Sequence, residues 1–305
     1  MKKNLILIIV FVVSFLLALG FLKQEEVKGL FKSEASNQET EVTEIDVWNG
    51  SRTTSRKLHE REVLEAVLDA TKDEYGEWIL AETTEDYDGD MEARAFRDYG
   101  HDLFVTVAGN LNLKDEKKIL VTEPIMKGIL GFRVLIIREE DKDKFAGIEN
   151  EDELKSLRAG IPHNWPDAEF FRFNGYEVVE GGSFEELFYR LHDKKFDYTA
   201  LGANEVEGEL TEREDEGVGL AIEEQLLVYY PFPVVFYVNP DLPELAERIE
   251  KGMSAISEDG TLDEIFFKHN GEIMESLNFW ERKVFKLDNP IIPDEMADFQ
   301  SRLLE

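Results

Sequence analysis

The residues best suited to contact a small molecule are His163, Asn164 and Trp165, which follow the apolar stretch LRAGI. Their imidazole, amide and indole groups can hydrogen-bond to a small molecule or stack on it. LRAGI predicts a short strand, and ligands of open α/β sheets bind beyond the carboxyl ends of strands. This cluster is therefore a candidate wall of a ligand cleft.

The same cluster also has a plainer structural interpretation. Trp165 could anchor the turn to its own part of the protein, and a lone histidine beside a turn is more often an incidental surface group. Pro166 and Asp167 predict the start of a helix, with Asp167 as a cap or first-turn carboxylate. Both interpretations of the cluster remain open from the sequence.

No catalytic or metal-binding signature accompanies this cluster. The chain has no cysteine, which excludes disulfides, thiolate catalysis and cysteine-zinc sites, and its five histidines lack zinc spacing. There is no nucleophile elbow, phosphate loop or dinucleotide fingerprint. Asp86, Asp88 and Asp90 resemble the start of a calcium loop, but Met91 and Arg97 replace its glycine and its closing glutamate. We expect a non-catalytic protein with no cofactor and no bound metal.

The charge of the chain narrows the class of partner. Its 66 acidic and 34 basic residues give a formal net charge of -32. Such a surface repels nucleic-acid backbones and anionic lipid headgroups. Because the acidic residues are spread along the chain, they indicate solubility more than a recognition surface.

The amino-terminal residues predict export. Two lysines precede an almost wholly apolar run, so residues 1–22 are a signal peptide or a membrane anchor. Ala18 and Gly20 fit a cleavage site after Gly20, whereas the length of the run approaches the roughly 20 residues that span a bilayer. Residues 23–43 predict an acidic linker. The remainder is expected in the periplasm, with the membrane involved only through this segment.

Strands alternate with helices along the rest of the chain, which predicts an α/β fold. Two long extended runs, near residues 119–138 and 226–238, bracket a compact middle part and predict two crossings between two lobes. Arg133 in the first run could pair with a carboxylate at this hinge. The predicted division is lobe 1 at 44–133 and 232–287, lobe 2 at 134–231, and a carboxyl-terminal tail at 288–305.

Three stretches carry a resemblance to a known family. They are PIMKGILGFRVLII, LRAGIPHNWPDAEFFRFNGYEVVEGGSFEELFYRLHDKKFDYTALGANEV and YYPFPVVFYVNPDLPELAERIEKGMSAISEDGTLDEIF. In order and spacing they resemble periplasmic solute-binding proteins of type 2, the superfamily of amino-acid-binding receptors of ABC transporters. The resemblance covers roughly residues 119–290 and is weaker over 44–118. It implies a type II fold with two lobes around a cleft that closes on a small solute.

Four further residues are predicted ligand contacts because of where they stand in such a fold. Asn204 and Glu205 follow the predicted strand KFDY, and Glu205 could hold a ligand amine or begin an acidic run. Trp48 ends the first predicted strand and could equally belong to the core. Lys127 follows the Glu-Pro pair near the first crossing.

The family's usual arginine, which grips the carboxylate of an amino acid with two hydrogen bonds, is missing. It is expected about nine residues before Pro124, where this chain has Asp115. Neighbouring lysines cannot grip a carboxylate with the same two-pronged geometry. The resemblance therefore implies a cationic or neutral solute, or none.

The resemblance implies a monomeric solute-binding protein that presents its closed form to an ABC permease or a membrane sensor. The alternatives are a membrane-anchored sensory or binding module without a role in transport and, third, a dehydratase-type enzyme on the same fold.

Overall fold

The computed structural model describes residues 42–50, 53–85, 89–211 and 218–304, except the side chains of residues 89 and 90. The predicted signal peptide or anchor and most of the predicted linker precede these residues. Asp86 and Asp88 of the calcium-like stretch also lie outside them. In the part of the chain that is described, no helix is long and apolar enough to cross a bilayer.

The first sheet has the strand order β2–β1–β3–β10–β4. Strands β1, β2 and β3 are parallel to one another, while β10 runs antiparallel to β3 and β4. Every residue of β10 is buried, as expected for a strand covered on both faces. The strands are β1 (Thr43–Trp48), β2 (Trp78–Thr83), β3 (Leu103–Val107), β4 (Ile119–Leu120) and β10 (Val234–Val238).

The second sheet has the strand order β11–β9–β5–β8–β6–β7. Only β5 runs against its neighbours β8 and β9, so the other strands end at one shared edge. The strands are β5 (Phe132–Arg138), β6 (Arg158–Ile161), β7 (Glu177–Glu180), β8 (Tyr198–Gly202), β9 (Leu220–Tyr229) and β11 (Lys283–Lys286).

Helices cover both sheets. The described helices are α1 (Thr54–Ala70), α2 (Lys72–Tyr75), α3 (Gly89–Glu92), α4 (Lys142–Ala146), α5 (Glu151–Lys155), α6 (Asp167–Phe173), α7 (Phe184–His192), α8 (Val206–Thr211), α9 (Pro243–Glu258) and α10 (Thr261–Ser276). Helices α1 and α9 approach closely because Gly252 has no side chain: a Cβ there would lie 2.5 Å from the carbonyl oxygen of Val67. Helix α7 begins with a capping box between Ser183 and Glu186.

The two sheets are joined so that their carboxyl edges meet. Strand β9 ends at Tyr229, and residues 230–233 lead directly into β10. Val234, the first residue of β10, pairs with Val107, the last residue of β3. The other crossing, from β4 to β5, runs alongside, and the Tyr230 amide donates to the Gly131 carbonyl at 3.2 Å. The predicted two-lobed α/β fold is confirmed, and both predicted crossings are present.

The chain passes between the sheets again after α10. Strand β11 pairs in parallel with β9 of the second sheet, although the sequence-based division placed residues 232–287 in lobe 1. A strand of four residues with alternating lysines gives no sequence signal of which sheet it joins, and here Phe285 supplies its buried contact. The rest of the division into lobes stays a prediction.

Candidate ligand cleft

The edge of the second sheet that faces the crossings carries a buried ion pair. Arg133 of β5 and Asp167, the first residue of α6, are 4% and 5% exposed, and Arg133 Nη2 lies 3.1 Å from Asp167 Oδ1. Tyr230 bridges them, since Arg133 Nε donates to its hydroxyl and that hydroxyl donates to Asp167 Oδ1, each at 2.5 Å. The expectation that Arg133 pairs with a carboxylate at the hinge is confirmed.

This network keeps the Arg133 guanidinium charged although it is buried. Burial opposes the charge, but Asp167, with smaller contributions from Tyr230 and Glu205, raises the pKa of Arg133 well above its ordinary value. The guanidinium also lies over the rings of Tyr230 and Phe232, at 5.3 and 5.5 Å from their centroids. Arg133 is thus already paired in this structure and is not presented to a solute.

The His-Asn-Trp cluster lies where the sequence predicted, directly after β6. His163 is exposed, and its Nδ1 lies 3.4 Å from Oε1 of Glu180, which also accepts from the Asn164 amide at 3.4 Å. Asn164 adopts a left-handed φ of 65°, which makes the turn sharp. Trp165 stacks on Phe184 of its own lobe, with centroids 5.4 Å apart and an interplanar angle of 19°. His163 and Asn164 face outward, whereas Trp165 anchors the turn.

Asn204 and Glu205 follow β8 at the same edge of the second sheet. Both are half-buried, and their side-chain oxygens fold over Gly202, which pairs with Arg133 across the sheet. The Oδ1 of Asn204 is buried and accepts no hydrogen bond from the described residues. The second lobe thus brings His163, Asn164, Asn204 and Glu205 to one edge.

The two residues predicted from the first lobe are both engaged within the protein. Trp48 is 2% exposed, stacks on Phe104 at 4.2 Å, and donates through Nε1 to the carbonyl of Glu85 at 2.8 Å. Lys127 has a left-handed φ of 52°, and its ammonium pairs with Asp263 in the first turn of α10. Asp115, which stands at the family's arginine position, is exposed.

The carboxyl-terminal segment, residues 288–304, lies on the cleft-facing edge of the first sheet. Its Met296 is 4% exposed and belongs to a small apolar cluster with Trp48, Phe104 and Tyr237. At its beginning, Asn289 donates to the carbonyl of Pro231 in the crossing at 2.7 Å. The sequence predicted a proline-limited tail with a short amphipathic piece here, and that pattern does not indicate which surface the segment covers.

A buried histidine of α1 contacts the first crossing. His59 of α1 is 1% exposed, its Nε2 lies 3.0 Å from the carbonyl oxygen of Ile125, and its Nδ1 lies 3.1 Å from Nδ2 of Asn270. This pattern fits a neutral ring that donates to Ile125 and accepts from Asn270. Burial lowers the pKa of His59 to about 4, although the bond to Ile125 opposes this shift.

The lowered pKa of His59 predicts a pH dependence of stability. The unfolded chain binds a proton near pH 6.5 and the folded chain only near 4, so the free energy of unfolding falls as the pH drops through this window. His59→Gln should remove this contribution, on the order of 2–3 kcal/mol. Urea unfolding of both proteins between pH 7 and 4 measures it, with His163→Gln as a correction for loss of one imidazole. Parallel curves for wild type and His59→Gln would contradict the prediction.

Comparisons with known proteins locate the fold. No family model matches this chain, and no curated protein matches it. Among solved structures, ytmK from Bacillus subtilis, described as a "probable amino-acid ABC transporter extracellular-binding protein", has a TM-score of 0.54 and 15% identity; the match covers 76% of this chain and 99% of ytmK. The second substrate binding domain of a transporter assigned to the amino acid ABC class, from Streptococcus pneumoniae, has a TM-score of 0.50 and 14% identity, covering 74% and 99%.

These similarities show the fold. The chain has the two-lobed architecture of type 2 solute-binding proteins, as the resemblance of its sequence implied. At this identity the comparisons assign neither a ligand nor a partner to it.

Proposed function

We propose that this protein is a non-catalytic, extracytoplasmic solute-binding protein that captures a small polar solute between its two lobes. The observation that carries this proposal is the meeting of two carboxyl edges at the crossings, where residues 230–233 join the end of β9 to the start of β10. Side chains that follow parallel strands converge at such an edge, and this is where open α/β sheets hold ligands.

The second lobe supplies the polar contacts in this proposal. His163, Asn164, Asn204 and Glu205 follow β6 and β8 at the shared edge, and Asn204 Oδ1 accepts no hydrogen bond from the described residues. An unpaired buried oxygen is costly unless a ligand or water donates to it. A solute with a hydrogen-bond donor would satisfy it.

The charges at this edge favour a cationic or neutral solute. Arg133 is held by Asp167, and the position of the family's arginine carries Asp115. Neither Arg133 nor the residue at the family's arginine position is therefore open to grip a carboxylate with two hydrogen bonds. Glu205, in contrast, offers a carboxylate that an amine could approach.

The cellular part of the proposal rests on the amino-terminal sequence and on the role given to similar folds. Residues 1–22 would export the protein to the periplasm or tether it to the inner membrane. ytmK, which shares the fold, is described as an extracellular-binding protein of an ABC transporter. We infer a permease of that class, or a membrane sensor, as the partner of a monomer.

A thermal-shift panel of amino acids, amines and small organic anions tests the proposed function. At least one cationic or neutral solute should raise the melting temperature, since binding at 100 times the Kd stabilises the folded state by about 2.7 kcal/mol. Glu205→Gln should weaken the response to a cationic solute. Its control is Glu177→Gln, because Glu177 begins β7 at the opposite edge of the same sheet. The panel is also run on Met296→Ala, which loosens the carboxyl-terminal segment at the first lobe. If no solute raised the melting temperature of either protein, the proposal would be refuted.

A further inference from the structure

The carboxyl-terminal segment occupies the place where a solute would meet the first lobe. It leaves β11 at Leu287, whose amide donates to the carbonyl of Tyr229 at 2.7 Å, and then follows the crossing. Its middle part packs at the ends of β1 and β3, where Trp48 and Ala108 lie. Ligands of open α/β sheets bind beyond these strand ends.

The seat of Met296 is built for an apolar side chain. Trp48, Phe104, Leu113 and Tyr237 form a buried cluster with it, and each of them is 1–2% exposed. A charged group placed there would lose its hydration without a partner, whereas a thioether or a similar chain fits.

Two glycines let the segment's backbone come close. Gly109 has a left-handed φ of 78°, and a Cβ there would lie 2.1 Å from the carbonyl oxygen of Ile291. Gly128 has a φ of 80°, and a Cβ there would lie 2.9 Å from the ring of Phe299. Glycine is needed where a backbone or a ligand approaches this closely. The first lobe therefore receives a peptide chain as well as a side chain.

The attachment of the segment is local. Between Asp288 and Leu304 its described regular structure consists of two three-residue 3₁₀ turns. Ser301 holds its far end, with its amide donating to the Tyr229 hydroxyl at 2.9 Å and its hydroxyl donating to the Lys127 carbonyl at 2.5 Å. Its beginning is held by Asp288, whose amide donates to Asn174 Oδ1 at 2.9 Å, and by the bond from Asn289 to Pro231. Segments with few backbone bonds open more easily than sheets do.

The packing beside the segment is incomplete. A cavity of about 380 Å³ lies between it and the stretch Thr122–Lys127. The exposed carboxylates of Asp294, Glu295 and Asp298 border this cavity. Because the chain has a net charge of -32, these carboxylates weaken the contact between the segment and the first lobe. Among the described residues, none of 288–304 pairs with a strand, so displacement of the segment would leave both sheets intact.

From these contacts we propose that the carboxyl-terminal segment is an internal competitor for the cleft. Its displacement opens a seat for an external ligand that carries an uncharged, unbranched apolar side chain of methionine size next to a peptide-like polar group. This inference rests on the proposed function and narrows its solute. A solute must then displace a segment of the same chain. Its apparent Kd therefore equals the intrinsic Kd divided by the fraction of molecules in which the segment is displaced.

Hydrogen exchange of the full chain, read by mass spectrometry, tests whether the segment opens by itself. In the wild type, peptides from residues 288–304 should exchange at least about 10-fold faster than peptides from β5 and β9. Met296→Ala should accelerate exchange of the segment by roughly 30-fold, from loss of its buried side chain. Gln300→Ala, at an exposed and uncharged residue of the same segment, should leave exchange unchanged. If the amides of the segment exchanged only at the rate of those in β5 and β9, the segment would open only when the whole protein unfolds, and the proposal would be overturned.

A labelled peptide with the sequence of residues 289–304 tests the seat directly. By fluorescence anisotropy it should bind the Met296→Ala chain at least about 10-fold more tightly than the wild type, because the attached rival is weakened. The same peptide with aspartate in place of methionine should bind neither chain. The proposal would be overturned if the methionine-containing peptide bound both chains with the same Kd, or if it bound neither chain.

The two proposals can fail separately. If the segment opens and the peptide competes, but no solute in the thermal-shift panel acts on either chain, the proposed function fails while the seat stands. If a solute binds wild type and Met296→Ala with the same apparent Kd, the proposed function stands and the competition is refuted.

Discussion

Asp167→Ala is expected to lower the free energy of unfolding by about 3–5 kcal/mol, because it leaves the Arg133 guanidinium buried without its counter-charge. Arg133 is 4% exposed, so water cannot replace the lost carboxylate without a local rearrangement. The Tyr230 hydroxyl also loses the oxygen to which it donates. Urea unfolding followed by circular dichroism measures the change, with the m-value checking that unfolding stays cooperative.

A double variant without either charge supplies the control. Replacing Arg133 by methionine and Asp167 by leucine together removes both charges, and such exchanges are often close to neutral in stability. The double variant should therefore be more stable than Asp167→Ala alone. A loss below about 1 kcal/mol for the single variant would show that the pair is solvated and plays no part in holding the crossing.

Trp48→Ala is expected to cost about 3–5 kcal/mol, the usual range for removing a large aromatic side chain from a core. The indole is 2% exposed, stacks on Phe104, and forms part of the Met296 seat. If Trp48 were instead an open ligand contact, its removal would affect binding far more than folding. The free energy of unfolding from urea titration separates these roles.

Two variants calibrate this experiment. Trp48→Phe keeps an aromatic ring against Phe104 and should lose less stability than Trp48→Ala. Trp280→Ala removes a tryptophan that is 58% exposed and should stay within about 0.5 kcal/mol of the wild type. Similar losses for Trp48→Ala and Trp280→Ala would contradict the buried position of Trp48.

The fold was largely predictable because its signals are local. Alternating strands and helices indicated the α/β class, and the two long apolar runs that contain β5 and β10 indicated the crossings. The prolines after Tyr230 marked the return crossing. The position of the second-lobe residues after β6 and β8 followed from the strand ends alone.

The site was only partly predictable because its decisive contacts join distant parts of the chain. Arg133, Asp167 and Tyr230 come from three different elements, and only the arginine at the head of an apolar strand gave a hint. Ile45 and Val47 of β1 lie on one face of the sheet, and the alternation of a strand places Trp48 on the opposite face. By that pattern alone, Trp48 would lie at the rim of the sheet. It is buried in a cluster that also contains Phe104 and Met296, and nothing in the local sequence of Trp48 or of Met296 indicates that they share it.

The return of the chain through β11 gives the two lobes a third mechanical link. Besides the two crossings, the chain is fastened to the second sheet at Lys283–Lys286 and to the first lobe at Met296. A hinge with only two connections rotates by changing a few backbone dihedrals, but a third fastening has to stretch or detach when the lobes separate. If the lobes separate as the proposed function requires, the packing of Met296 would limit the angle to which they open, and its release would lengthen this connection.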